Sequence, residues 1–146
     1  PSPTPLDMSL IDTEDWINAS DYTSKTIFTL RDTSIRFDCG TYTIARVPLQ
    51  QMPANSYLKI TLEGVTQEGL WQSYFVSSVD GKDSTYERKI RLFNNLNKEK
   101  VSTRVSYYHK LPEALASNAL TLSIVSDMRH RSQLKWLTVE LFTEKK

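Results

Sequence analysis

The chain has 146 residues, 39% of them hydrophobic, a formal net charge of +1, one cysteine and two histidines. Its length suits one core, burying roughly 70% of the surface the unfolded chain exposes. Eighteen Lys+Arg against seventeen Asp+Glu excludes the basic footprint of phosphate-driven nucleic-acid binding, and one cysteine with two histidines excludes an internal disulfide and a Cys/His zinc site.

No apolar run reaches the ~18 residues that a membrane-spanning helix needs. Pro1-Ser2-Pro3-Thr4-Pro5 has three prolines and no apolar partner, so residues 1–8 read as an extended polar tether and 9–146 as a single domain. A Pro/Ser/Thr tether of this kind follows the lipid-bearing cysteine of bacterial lipoproteins. A lipid anchor upstream of Pro1 is one expectation, and a cut within a domain linker is the other. Asp7–Ser20 holds Asp12, Glu14 and Asp15 without an apolar stripe and is expected to pack irregularly on Trp16.

Weak strands are expected at Lys25–Leu30, Ser34–Asp38 and Thr41–Val47, with turns at Arg31-Asp32-Thr33 and Asp38-Cys39-Gly40. Gln50–Asn55 reads as a polar loop. From Tyr57 to Glu63 the alternation is strict: Leu58, Ile60 and Leu62 point one way and Lys59, Thr61 and Glu63 the other. Trp71–Val79 and Thr85–Phe93 flank Val79-Asp80-Gly81-Lys82, whose Asp-Gly pair is a hairpin signal. Asn94–Lys100 is a polar loop. Val101, Thr103, Val105 and Tyr107 oppose Ser102, Arg104, Ser106 and Tyr108. Leu111–Asn118, with Pro112 at a first helical position and Asn118 as a stop, is expected to make one short helical turn. Two more alternating runs follow, Ala119–Ser126 and a final strand with Leu137, Val139 and Leu141 inward. The expected fold is an all-β, antiparallel β-sandwich, jelly-roll or immunoglobulin-like, of about 8–9 strands.

Chemistry is sparse. His109 is expected at a strand end and His130 in a solvated loop between Arg129 and Arg131, and no Gly-x-Ser-x-Gly elbow accompanies either. Cys39 reads as a small residue in a turn. Glu63, Glu68, Glu87 and Glu140 fall at outward or edge positions, and a hydrolytic pair would need two of them about 5–10 Å apart. Asp80, Lys82 and Asp83 lack the spacing of a calcium loop. No catalytic residue, metal site or cofactor is expected.

What remains is surface. Trp136 and Phe142 share an outward face with Glu140, Tyr57 lies beside Lys59, and Tyr108 is in phase with Arg104. Aromatic side chains with charged neighbours form platforms for sugars or peptides, or else cover a second small core. In Glu87–Arg91, Arg88 faces with Ile90 while Lys89 and Arg91 face the other way, so the basic run is split and suits a solvated edge strand. The candidate contact residues are Trp136, Phe142, Tyr57, Tyr108, Arg88, Arg91 and Arg104.

Trp16 with Ser24-Lys25-Thr26, then Leu30, then Pro53-Ala54-Asn55 leading into Leu58-Lys59-Ile60-Thr61-Leu62, and Phe75-Val76 before Asp80, resembles MalM-type periplasmic proteins of the maltose operon over the first eighty or so residues. The resemblance implies an exported bacterial envelope protein with a sandwich domain and a binding role. The expected function is a non-catalytic binding or assembly module of a Gram-negative envelope, periplasmic or tethered to the outer membrane. It would contact a protein partner through a sheet face or edge, without nucleic acid. The alternative is a carbohydrate-binding module that takes a glycan, such as the accessory domain of a polysaccharide-acting enzyme. A hydrolase with a carboxylate pair and a capsid or tail protein are further alternatives.

Overall fold

A computed structural model describes residues 17–37, 40–67, 71–95, 101–126 and 130–145. Eight strands alternate apolar and polar side chains: β1 (Tyr22–Phe37), β2 (Gly40–Met52), β3 (Ser56–Gln67), β4 (Trp71–Val79), β5 (Glu87–Asn95), β6 (Val101–Leu111), β7 (Leu115–Ser126) and β8 (His130–Glu144). They form two antiparallel four-stranded sheets, ordered β1-β8-β3-β6 and β2-β7-β4-β5. Apart from β4 and β5, which are consecutive, neighbours in each sheet are distant in sequence, as where Tyr22 pairs Glu144 and Tyr42 pairs Ile124. The chain thus crosses repeatedly between the layers, the double Greek-key order of an eight-stranded jelly roll.

The core is the set of inward residues that alternation predicts. Leu58, Ile60 and Leu62 on β3 and Leu137 and Val139 on β8 are fully buried, facing Phe75 on β4 and Leu120, Leu122 and Ile124 on β7. Removing these side chains from water drives the two sheets together.

Several local expectations are corrected. Arg31-Asp32-Thr33 does not end a strand. Asp32 adopts φ +49, yet Arg31 still pairs Trp136 and Thr33 pairs Leu134, so β1 runs through in register against β8. Two expected strands therefore merge into one. Gln50–Asn55 is not wholly loop, because β2 continues to Met52, which is buried, before Pro53-Ala54-Asn55 turns. Leu111–Asn118 contains no helix. Leu111 ends β6 and Leu115 starts β7, both buried, so sheet pairing overrides a weak local helix preference. Among the described residues the helical elements are single 3-10 turns at Ala19–Asp21 and Ser84–Tyr86.

The Asp-Gly signal does mark the β4–β5 connection. A Val79 C=O to Lys82 N–H bond of 3.2 Å closes a β-turn with Gly81 at φ +79, and the 3-10 turn follows before β5 starts at Glu87. His109 lies near the end of β6, as expected, and is buried there, 1% exposed. His130 begins β8 rather than lying in a loop. Asp7–Trp16, Asp38, Cys39, Glu68 and residues 96–100 lie outside the described residues.

Candidate binding face

Antiparallel register arranges the outward residues of β1, β8, β3 and β6 in rows across one sheet. Arg31, Trp136, Glu63 and Arg104 form one row, followed by Thr29, Thr138, Thr61 and Ser106. Then come Thr26, Glu140, Lys59 and Tyr108, and after them Ser24, Phe142, Tyr57 and Lys110. This face therefore collects Trp136, Phe142, Tyr57, Tyr108 and Arg104 of the predicted contact residues.

The aromatic end is a packed unit, not a set of free rings. Tyr22 meets Tyr57 with centroids 5.8 Å apart, Tyr57 meets Tyr108 at 6.3 Å and Tyr108 meets Phe142 at 5.6 Å, all edge to face. Each pair places a ring edge on its neighbour's π-face, the preferred arrangement. Tyr108 (8%) and Phe142 (6%) are buried although their register points them outward, while Tyr57 is half-buried. Of the two readings open for the outward aromatics, these two rings follow the second: on this face they form a second small core. Burial, then the nearby Glu140 carboxylate, raises the Tyr108 phenol above its ordinary range.

At the other end Trp136 is 38% exposed, the one exposed large hydrophobic among the described residues. The Arg31 guanidinium lies 4.5 Å from its ring centroid, and its indole N–H donates to Thr138 Oγ1. Cation–π contact and hydrogen bond hold the ring in place.

Arg88 and Arg91 are not part of this face. Both belong to β5 in the second sheet. Arg91 is exposed and pairs Tyr74, whose ring has Lys89 Nζ 4.4 Å above it. Arg88 pairs Ser77, which is 0% exposed and inward, so Arg88 takes an inward register position at the sandwich edge and is half-buried.

Two polar clusters carry no sequence motif. Inside the sandwich Tyr107 Oη donates to Ser77 Oγ at 2.8 Å, and Ser77 Oγ lies 2.9 Å from His109 Nδ1, joining β6 of one sheet to β4 of the other. Burial, then Arg88, lowers the His109 pKa to about 4 against an opposing contribution from the Tyr86 backbone. The second cluster centres on Asp80. Its carboxylate accepts from Thr121 Oγ1 at 2.6 Å and Arg46 Nε at 3.0 Å, while its backbone oxygen accepts from Asn118 Nδ2 at 3.1 Å. The Thr121 and Arg46 hydrogen bonds lower its pKa. Neither cluster was legible, since Ser77 and Arg46 look like ordinary strand residues until strand order sets them beside His109 and Asp80.

Among the described residues, Glu63, Glu87 and Glu140 do not form a cleft pair. Glu63 pairs Trp136, four residues from Glu140 on the same strand, a backbone offset of ~13 Å at ~3.3 Å per residue. Glu87 lies on the other sheet. Among the described residues no three His, Cys, Asp or Glu side chains are grouped to hold a metal ion, and no helix is long and apolar enough to cross a membrane.

No protein-family model matches the chain, and no curated protein matches it. Solved structures of the Gx and Gt strains of infectious bursal disease virus align with 84% and 86% of the chain, at 13% identity and TM-scores of 0.40 and 0.38. A family two carbohydrate esterase from Cellvibrio japonicus aligns with 85%, at 15% identity and a TM-score of 0.26. The aligned parts cover 32%, 38% and 36% of those longer chains. Likeness this slight transfers no function.

Proposed function

We propose that this domain is a non-catalytic binding or assembly module that contacts a protein partner through the outer face of the β1-β8-β3-β6 sheet. The observation that carries this is the register itself, which sets exposed Trp136 in one row with Arg31, Glu63 and Arg104 and follows it with a row of hydroxyls. Such a face offers an aromatic anchor, cations of directed geometry and hydroxyl donors side by side, the mixture that protein interfaces use. Perpendicular rings and an Arg31-capped indole suit a protein surface better than the parallel platforms on which sugar rings stack.

A face is favoured over an edge. β1 carries Lys25 opposite inward Leu141 and an irregularity at Ile27, and β2 carries Pro48 and an irregularity at Ile44. β5 has charged Glu87, Lys89 and Arg91, and β6 has Arg104 and Lys110. Inward charges, proline and bulges discourage strand addition.

The test places a photo-crosslinking residue at Arg104 or, as a control, at Arg91, in the protein made in its native cells. Crosslinks to one protein from position 104, absent from 91 and lost in Trp136→Ala, support the reading. Equal crosslinking from both positions overturns it, as does a glycan-array response with quenched tryptophan fluorescence, which would establish the carbohydrate alternative. The envelope setting is part of the same proposal, resting on the Pro-rich opening and the MalM-type pattern, and cell fractionation tests it.

A second reading rests on the strand order. The jelly roll is shared by capsid and lectin domains, so closed, symmetric self-assembly in light scattering would replace a foreign partner with further copies of this chain. That argument is one of fold-level analogy.

A further inference from the structure

We propose that His109 is an acid-operated latch: neutral, it ties β6 to β4 across the sandwich, and protonated it releases the corner where β5 meets β6. The proposal is independent of the binding face, which lies on the other side of the first sheet.

The geometry suits a neutral ring that accepts at Nδ1. Tyr107 Oη donates to Ser77 Oγ, which leaves the Ser77 hydroxyl hydrogen available to His109 Nδ1, 2.9 Å away. In that arrangement Nδ1 accepts and the neutral ring carries its hydrogen on Nε2. Nε2 and Tyr86 Oη are both buried without a hydrogen-bond partner.

Among the described residues no carboxylate acts on the ring. From β3 the register partner of His109 is Leu58; from β4 comes Ser77; from the 3-10 turn Tyr86; from β5 Arg88, the register partner of Ser77; and from β6 itself Tyr107. Arg88 is the charged group in this set.

A proton from solvent binding the Nδ1 lone pair reverses the network. The new N–H turns to Ser77 Oγ, and the displaced Ser77 hydrogen loses its His109 acceptor at a fully buried position. A second cation also arrives beside Arg88. An unmade buried hydrogen bond and an unpaired buried charge are both costly. The strain falls on β5, an edge strand whose ladder partner among the described residues is β4. Burial and Arg88 keep the ring neutral down to about pH 4, so the closed corner resists protonation while an opened one titrates as ordinary imidazole.

The experiment follows amide hydrogen exchange, corrected for intrinsic rates, and the ring resonances of His109 from pH 7.5 to 3.5. Wild type should lose protection in β5 and β6 by about tenfold or more between pH 6.5 and 4. His109→Asn, which retains an acceptor for Ser77 and cannot take the proton, should stay flat. Arg88→Gln should show a smaller loss. Equal losses in wild type and His109→Asn overturn the proposal, as does a ring that titrates near 6.5 with β5 and β6 unchanged. Should His109→Asn fail to fold, the wild type decides: loss of β5–β6 protection in step with ring protonation supports the latch, and loss without it overturns the latch.

Discussion

Ser77 lies between Phe75 and Val79 on the inward side of β4, fully buried, and its hydroxyl bonds both Tyr107 Oη and His109 Nδ1. Ser77→Ala removes one small group and orphans two larger ones, the Tyr107 hydroxyl and His109 Nδ1. A loss of about 2–4 kcal/mol in urea unfolding is expected. Tyr107→Phe, which leaves the Ser77–His109 bond in place, should cost less, about 1 kcal/mol. Asp80 is a partly exposed hub, so Asp80→Asn should cost only about 1 kcal/mol by the same measurement. The contribution of its ionised form is present above the ordinary carboxylate range and is lost as pH falls through the lowered native value. Trp136 and Tyr57 were legible as outward residues from alternation alone. Which of the outward aromatics would cover a second small core was not, because rings on three different strands must meet before they cover one another.

Strand phase was readable wherever alternation was strict, as in β3 and β8, since a one-residue slip would turn every leucine to solvent. Element ends were less legible. Leu111–Asn118 has helix-compatible residues, but Leu111 and Leu115 both reach the core only if the chain turns at Pro112. At the sheet edge, Lys25 occupies an inward register position opposite Leu141 while remaining exposed. Lys25→Ile should leave the unfolding midpoint almost unchanged and raise aggregation in light scattering, because an apolar flat edge accepts a foreign strand. At the β4–β5 turn Gly81→Ala has room for its Cβ, the nearest atom being Asn118 Nδ2 at 3.9 Å, but not for its backbone at φ +79. A cost of about 1 kcal/mol in thermal unfolding is expected.

For the whole molecule, the depressed His109 value makes stability pH-dependent. An unfolded histidine binds its proton near 6.5 and the native one only near 4. The stability is therefore complete above about 6.5 and falls as pH drops toward 4. The expected loss is about 3 kcal/mol, measured as urea midpoints across that range, and absent in His109→Asn. What the sequence by itself determined was an antiparallel sandwich, its inward leucines and the lack of a recognisable catalytic motif, because period-2 patterning and residue chemistry are local properties. Tertiary structure alone decided which outward residues meet. Register between strands as distant as β1 and β8 aligned Trp136 with Arg31 and Glu63, assigned Arg88 and Arg91 to the other sheet, and brought Ser77 to His109. Proximity across a jelly roll depends on strand order, which no local window contains. The balanced charge of the chain likewise acquires a place: Arg31, Glu63 and Arg104 share one row of the proposed contact face, and Arg88 stands beside a histidine kept neutral.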